Sequence, residues 1–214
     1  AAGDTVTLSR VDHLVWATPD LEAGIAAIAR LTGVRASAGG KHPSWATHNA
    51  LLSLGADMYL ELLAPDPSAP PPAKARPFGL DRLDSPRLVT WAAHEADLEG
   101  RLARLAAAGI DLGEILSGGR VRPDGVALHW RLTSPRALLA GGVVPFLIDW
   151  GPSPHPSTTA TPGLSLVALE IEHPEPARVR ELLDLFGVDI SVRAASRPSL
   201  VATLDSPLGR VELR

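Results

Sequence analysis

A glutamate and a histidine stand inside two apolar segments, where an ionisable side chain is costly to bury. Glu61 lies in the segment Tyr-Leu-Glu-Leu-Leu, and His13 lies in Val-Asp-His-Leu-Val. A buried carboxylate needs a partner, which a cation or a histidine can supply. The two residues therefore predict a pair of metal ligands or a general acid and base. The alternative is a structural hydrogen bond between His13 and Glu61 within a sheet.

A second polar group follows the dipeptide Gly39-Gly40, which indicates a turn. His42, Trp45 and Asn49 come directly after it, on a segment that leads from a loop into a strand. A histidine and an asparagine beside a substrate carbonyl can polarise it or relay a proton. The alternative is a capped turn on which Trp45 packs as a lid.

Two arginines lie beside a Pro-Asp-Gly turn. Arg120 and Arg122 are two residues apart, so in an extended segment their side chains point the same way. Such a pair can hold a carboxylate or a phosphate, and we predict that Arg122 binds substrate. The alternative is a solvated hairpin.

Tryptophan is over-represented among the few aromatic residues: the chain has five Trp, one Tyr and three Phe. Four tryptophans fall in strand-like segments, and they either line a pocket or belong to an ordinary core. We predict that Trp45, Trp130 and Trp150 contact substrate. The four in strand-like segments are Trp16, Trp91, Trp130 and Trp150.

Composition excludes several classes of protein. With no cysteine, the chain has no disulfide, thiol nucleophile or thiolate metal site, so any strong metal ligands are His, Asp and Glu. The net charge is −4 and there is no basic tract, which argues against nucleic-acid and anionic-membrane partners. No apolar run is long enough to span a membrane, and the first ten residues lack the apolar segment of a signal peptide. We therefore expect a cytoplasmic protein. Motifs of serine hydrolases, P-loop NTPases and Rossmann oxidoreductases are absent.

The elements that must position these residues occur as a repeat. Three amphipathic helical patterns end at Gly33, Gly109 and Gly187, and each follows a short apolar strand and precedes further strands. Each unit reads β-α-β-β-β, so the predicted fold class is α+β. We expect a paired-unit domain over 10–151, made of units 10–65 and 86–151, and a third unit over 163–214. The stretch 65–77 holds six prolines and predicts a stiff linker between the first two units.

This repeat resembles the vicinal oxygen chelate superfamily, which includes glyoxalase I, extradiol dioxygenases and bleomycin-resistance proteins. Within it, the local motifs are most similar to those of glyoxalase-like domain proteins, over roughly residues 10 to 157. The matching motifs are Val11 to Val15, Gly39 to Asn49, Tyr59 to Leu62, Arg120 to Gly125, Leu128 to Trp130 and Pro145 to Trp150 with His155-Pro156.

The resemblance implies a curved, mixed or antiparallel sheet of paired units, with a pocket on its concave face. In metal-dependent relatives, the ligands come from the first and fourth strands of each unit, which are the positions of His13 and Glu61 here. The second unit departs from this pattern, because Thr90 and Ile148 stand at its equivalent positions. A divalent ion (Zn, Ni, Fe, Mn or Mg) would then need a further ligand, such as His42, His48 or His129. No organic cofactor is expected.

Two functions remain open. The first is a glyoxalase-like lyase or isomerase acting on a small oxygenated metabolite, with His13, His42, Asn49 and Glu61 as its catalytic residues. The second is a non-catalytic protein that sequesters a small molecule between tryptophan faces. Because a lone third unit would leave an apolar face uncovered, we also expect a homodimer.

Overall fold

The computed structural model describes residues 8–122 and 124–214. The first unit consists of β1 (Val11–Ala17), α1 (Leu21–Thr32), β2 (Ser37–His42), β3 (Thr47–Gly55) and β4 (Met58–Pro65). Helix α1 begins after Asp20, whose carboxylate accepts a hydrogen bond from the backbone N–H of Ala23 at 2.8 Å. The helix ends at Gly33, whose φ of 81° lies in the left-handed region that glycine tolerates.

The second and third units repeat this order of elements. The second unit consists of β5 (Arg87–His94), α2 (Leu98–Ala107), β6 (Leu116–Val121), β7 (Ala127–Leu132) and β8 (Phe146–Asp149). The third consists of β9 (Ser165–His173), α3 (Pro176–Phe186), β10 (Ser191–Ala194), β11 (Ser199–Ser206) and β12 (Gly209–Leu213). None of the helices in the described part of the chain is both long and apolar enough to cross a membrane.

The first two units form one eight-stranded sheet with the order β2-β3-β4-β1-β5-β8-β7-β6. In each unit the first strand pairs in parallel with the fourth, and the units join through antiparallel pairing of β1 and β5. The sheet curves until its edge strands approach each other, where Nη1 of Arg120 on β6 donates a hydrogen bond to the carbonyl of Gly39 on β2 at 2.8 Å. The predicted α+β fold of paired units in a curved sheet is confirmed.

Gly39 and Gly40 differ from their expected role. They lie inside β2 rather than in a turn, and the following turn is the short helical segment Pro43–Trp45. A methyl group on Gly39 would lie 2.1 Å from Oδ1 of Asn49. The glycine is therefore needed for a close approach within the sheet and not to reverse the chain.

The third unit forms a separate sheet with the order β10-β9-β11-β12, in which β9 pairs in parallel with β10 and antiparallel with β11. Its pairing thus differs from that of the first two units, although the order of elements along the chain is the same. Its apolar face packs with α1 and α2 against the convex face of the large sheet, in one cluster that includes Trp91, Phe186 and Leu204. Because this face is covered within the same chain, the argument for a homodimer loses its basis. The homodimer and the division of the chain into domains stay predictions.

Candidate functional site

A cavity of about 300 Å³ opens on the concave face of the large sheet. The structure brings seven of the predicted site residues to its wall, from both units: His13, His42, Trp45, Asn49, Glu61, Trp130 and Trp150. Its size is at the lower end of the range for small-molecule sites in proteins.

His13 and Glu61 face each other at the cavity wall. Nε2 of His13 lies 3.7 Å from Oε2 of Glu61, and both side chains are buried. They come from the adjacent parallel strands β1 and β4, in which Val15 pairs with Glu61 and His13 pairs with Tyr59. The imidazole ring stacks on the Tyr59 ring, with centroids 4.5 Å apart. These contacts hold the ring in a fixed plane, with one nitrogen directed towards the glutamate.

Asn49 fixes the glutamate from the other side. Its Nδ2 donates a hydrogen bond to Oε1 of Glu61 at 2.8 Å and lies 3.5 Å from Nε2 of His42. Nδ1 of His42 in turn lies 3.0 Å from the hydroxyl of Thr47. Because Asn49 occupies Oε1, the remaining oxygen of Glu61 is the one that faces His13. The polar groups predicted from the sequence therefore form one continuous row.

Burial lowers the pKa of His42, and the positive charge of Arg120 lowers it further, whereas the charge of Glu61 acts in the opposite direction. The imidazole is therefore neutral at pH 7, so it can accept as well as donate a hydrogen bond. This protonation state suits the orientation of a carbonyl or the relay of a proton.

Behind His13 lies a carboxylate that the sequence analysis did not select. Asp12 is completely buried, and four side chains surround its two oxygens. These contacts are Nδ1 of His13 at 2.6 Å, Nδ1 of His94 at 2.8 Å, Nε2 of His155 at 3.1 Å and Nε1 of Trp150 at 3.1 Å. Burial alone would raise the pKa of Asp12, but the hydrogen bonds from the three histidines hold it well below its ordinary value. We call Asp12 with these four partners the Asp12 cluster.

Hydrogen-bond partners assign the protons in this cluster. His94 lies between two acceptors, Asp12 and the carbonyl of Asp57 at 3.0 Å, so each of its ring nitrogens carries a proton. Burial opposes this charge, but the Asp12 carboxylate outweighs it and raises the pKa of His94. Nδ1 of His155 accepts from the backbone N–H of Ser157, which leaves the proton on Nε2, facing Asp12.

His13 likewise donates its Nδ1 proton to Asp12, because a carboxylate at 2.6 Å can only accept. Its Nε2 is therefore the atom presented to Glu61 and the cavity. A carboxylate behind a histidine is the arrangement that fixes the tautomer of both metal-ligating and general-base histidines.

Asp12, His94 and His155 also form a group that could hold a metal ion, since each offers a ligand atom and these atoms lie within 4.8 Å of one another. One carboxylate and two imidazoles suit zinc and similar divalent ions. An ion there would have to displace the ring protons that His94 and His155 donate to Asp12. Hydrogen bonding already satisfies this group, whereas His13 and Glu61 present their free atoms to the cavity.

The second unit places no metal ligand at the two positions that correspond to His13 and Glu61. Ile148 lines the cavity, and Thr90 is buried with its hydroxyl unpaired in the described part of the chain. His48 and His129, which were expected as further ligands, are not among the lining residues.

Trp16 and Trp91 lie in the core on the opposite face of the sheet, where Nε1 of Trp91 donates to the carbonyl of Val143. Arg122 does not line the cavity either: its guanidinium pairs with Asp124 beside the turn. The arginine on the cavity wall is Arg120. The aromatic lining that the sequence analysis did not single out comes from Tyr59, Phe78 and Phe146.

Comparisons with known proteins agree with this architecture. A family model described as "Glyoxalase-like domain" matches residues 11–186. A comparison with curated proteins finds no match. A hypothetical protein from Staphylococcus aureus has a similar structure, with 16% identity and a TM-score of 0.64 over 94% of this chain and 83% of that chain.

Methylmalonyl-CoA epimerases are more distant structural neighbours. The enzyme from Mycobacterium tuberculosis is 21% identical, with a TM-score of 0.45 over 71% of this chain and 93% of its own. A second epimerase, solved in complex with methylmalonyl-CoA and NH4+, is 19% identical, with a TM-score of 0.46 over 69% of this chain and 99% of its own. At these identities the likenesses concern the fold alone. Because the family model matches more than half of the chain, the protein belongs to the glyoxalase-like domain family, within the vicinal oxygen chelate superfamily.

Proposed function

We propose that the protein is an enzyme of the lyase or isomerase type that moves a proton at a carbon next to a carbonyl group of a small oxygenated metabolite. The observation that carries this proposal is the pair formed by His13 and Glu61, whose Nε2 and Oε2 atoms lie 3.7 Å apart at the cavity wall. An imidazole and a carboxylate side by side at this separation can supply one proton donor and one proton acceptor to the same bound substrate.

Each polar neighbour has a distinct task in this proposal. Asn49 holds Oε1 of Glu61, so that Oε2 is the oxygen that takes or returns the substrate proton. Asp12 keeps the Nδ1 proton of His13 in place, so that Nε2 exchanges the second proton. His42, neutral at pH 7, orients the substrate carbonyl. The rings of Trp45, Trp130 and Trp150 cover the bound molecule and exclude water.

A divalent metal ion also suits the pair. Nitrogen and oxygen atoms 3.7 Å apart are close to the separation of two ligands around one ion, and one histidine with one carboxylate matches the preference of such ions. His13 and Glu61 would hold the ion, which would polarise the substrate carbonyl when bound. Elemental analysis of wild-type protein loaded with each candidate ion, beside Glu61→Gln and His155→Gln, tests this assignment. We expect Glu61→Gln to lose the ion and His155→Gln to keep it; the reverse result would assign the ion to the Asp12 cluster.

The aromatic wall favours a second candidate function, namely sequestration of a small apolar molecule without chemistry. Trp130 and Trp150 lie with their ring centroids 5.3 Å apart, and Phe78 and Phe146 lie 6.0 Å apart in the same cavity. Such surfaces bind flat ligands by stacking.

Solvent deuterium exchange distinguishes the two functions. Wild-type protein is incubated in D2O with a panel of 2-oxo acids and 2-hydroxy carbonyl compounds, and exchange at the carbon next to the carbonyl is followed by NMR. We expect exchange with at least one compound, loss of it in His13→Ala and in Glu61→Gln, and retention in His48→Ala, whose side chain lies outside the cavity. Binding of panel members without exchange would reject the enzyme and support sequestration.

A further inference from the structure

We propose that the cavity is built for an anionic ligand, whose carboxylate binds Arg120 while an aromatic or apolar portion lies against the tryptophan rings. This inference names the substrate class of the site and so rests on the proposed function. The structure supports it in three steps: the arginine is fixed in place, its charge has no carboxylate partner, and the rest of the wall is apolar.

One nitrogen of the Arg120 guanidinium is hydrogen-bonded within the part of the chain that the structure describes, and the other two are not. Its Nη1 donates to the carbonyl of Gly39 across the gap between the two sheet edges, at 2.8 Å. Gly40 makes room for the side chain, because a methyl group there would lie 3.3 Å from Cδ of Arg120. The anchored nitrogen restricts where the guanidinium can move, and Nε and Nη2 make no hydrogen bond among the described residues. These two nitrogens are therefore available to bind a carboxylate together.

The charge of Arg120 is unpaired within the described part of the chain, unlike that of its neighbours. Arg122 pairs with Asp124, Arg131 pairs with Glu99, and Lys41 pairs with Asp66. The nearby carboxylate of Glu61 is engaged with Asn49 and His13 instead. Burial lowers the pKa of Arg120, while Tyr59 and Glu61 favour its charged form. A partly buried cation without an ion-pair partner is stabilised by an anion that enters the cavity.

The remaining wall determines what accompanies the carboxylate. Besides the row of polar groups from the first unit, the lining consists mainly of aromatic and aliphatic side chains, including Trp130, Trp150, Phe146 and Ile148. Trp130 packs flat on β6 because Gly118 carries no side chain: a methyl group there would lie 2.4 Å from the ring. A small aryl carboxylate with a neighbouring carbonyl matches both surfaces in a cavity of about 300 Å³.

Isothermal titration calorimetry with benzoylformate and with its methyl ester tests the inference. The two probes share the aromatic ring and the ketone, and only the acid carries a charge. We expect wild-type protein to bind the acid about 10-fold more tightly or better, because hydrogen bonds between a guanidinium and a carboxylate are stronger than those to a neutral ester. Arg120→Met should abolish the preference, Arg120→Lys should retain part of it, and Arg122→Met should leave it unchanged.

Equal binding of acid and ester, binding of neither probe, or a preference that survives in Arg120→Met would each overturn the inference. If Arg120→Met does not fold, Arg120→Lys decides, and an undiminished preference in that variant counts against a role for the guanidinium fork. Benzoylformate has no hydrogen on the carbon next to its ketone, so its binding does not depend on proton transfer. Acid-selective binding without deuterium exchange on any panel compound would keep this inference and reject the proposed enzyme. Deuterium exchange that persists in Arg120→Met with an unchanged KM would keep the proposed enzyme and reject this inference.

Discussion

The carboxylate of Asp12 holds the imidazole of His13 through a contact of 2.6 Å between Oδ1 and Nδ1, although the two residues are neighbours on one strand. Side chains of consecutive strand residues normally point to opposite faces. Here the register between β1 and β5 shifts between Val11 and His13, so that Asp12 is the extra residue of a bulge. Bulges redirect side chains in this way next to functional sites. Asp12 thereby sets which nitrogen of His13 faces Glu61.

The first prediction concerns the exchange rate of Asp12→Asn. The amide keeps the shape but presents an NH2 group to the histidines, so His13 loses the partner that fixes its tautomer. We expect proton exchange to fall roughly 10- to 100-fold, which is the usual effect of removing such a carboxylate. The tautomer itself is measured by ¹⁵N NMR of the imidazole, in which the proton should no longer be confined to Nδ1.

Asp205→Asn is the matched control for this variant, since Asp205 is an exposed carboxylate that pairs with Arg210 in the third unit. It should leave both the exchange rate and the His13 spectrum unchanged. If folded Asp12→Asn keeps the wild-type tautomer and rate, Asp12 does not position His13.

The sequence made His13 and Glu61 predictable and Asp12 unpredictable for one physical reason. A carboxylate in the apolar segment around Glu61 implies a partner whatever the local geometry is. Strand alternation, in contrast, assigns Asp12 and His13 to opposite faces, and only the long-range pairing of β1 with β5 creates the bulge that unites them. The family motif identifies the histidine but carries no information on this local shift.

The second prediction is a pH-dependent contribution of His94 to stability. The folded pKa of His94 lies above its ordinary value of 6.5, with the Asp12 carboxylate as the cause that outweighs burial. The folded state thus binds the proton more tightly than the unfolded state does. The stabilisation is fully present below pH 6.5 and is lost as the pH rises through the raised pKa. We expect the free energy of unfolding of His94→Gln, relative to wild type, to be lower at pH 6 than at pH 9 in urea titrations.

The groups that face His94 are Asp12, the carbonyl of Asp57 and the ring of His155, 5.5 Å away between centroids. His42 provides a control in which the pH dependence of stability has the opposite sign, because burial lowers the pKa of His42. Its protonation opposes folding, so wild-type stability should fall as the pH drops below 6.5, and His42→Gln should reduce that fall. If both variants shift the pH profile in the same direction, this assignment of charges is wrong.

The third prediction concerns the stability of Gly118→Ala, which tests the packing of Trp130 against β6. A methyl group at this position would lie 2.4 Å from Cε2 of the indole ring, which is too rigid to yield without moving away. We expect the free energy of unfolding to fall by about 1–3 kcal/mol, the typical cost of overpacking, and benzoylformate to bind more weakly. Urea denaturation and calorimetry measure the two effects.

The neighbouring variant Gly119→Ala is the control for Gly118→Ala. Its methyl group would lie 3.0 Å from the exposed side chain of His129, which can rotate away, and 3.3 Å from the backbone carbonyl of Leu128, so a smaller shift accommodates it. If the free energy of unfolding falls as much in Gly119→Ala as in Gly118→Ala, the strand disfavours alanine at both positions. The contact with Trp130 would then not be the cause of the destabilisation.

Arg120 and Arg122 show where the two-residue alternation of strand side chains no longer predicts which face a residue lies on. The spacing of Arg120 and Arg122 places both on one face only if the strand continues through them. Strand β6 ends at Val121, so Arg122 belongs to the turn and pairs locally with Asp124. The tryptophans show a related limit, because a strand-like segment does not reveal which face meets the cavity. Trp130 and Trp150 face it, whereas Trp16 and Trp91 face the helices and the sheet of the third unit.

The last prediction concerns Thr90, which occupies the position in the second unit that corresponds to His13. Its hydroxyl is buried and has no hydrogen-bond partner among the described residues, so the folded protein bears the cost of desolvating it. Thr90→Val replaces the hydroxyl by a methyl group of similar size, and we expect the free energy of unfolding to rise by about 1 kcal/mol.

Thr133→Val is the matched control, because the equally buried hydroxyl of Thr133 accepts a hydrogen bond from the backbone N–H of Leu147 at 2.9 Å. Thr133→Val leaves the backbone N–H of Leu147 without its acceptor, so we expect its free energy of unfolding to fall by about 1–3 kcal/mol. Both values come from urea denaturation at pH 7. A loss of stability in Thr90→Val comparable to that in Thr133→Val would mean that the Thr90 hydroxyl is hydrogen-bonded in solution.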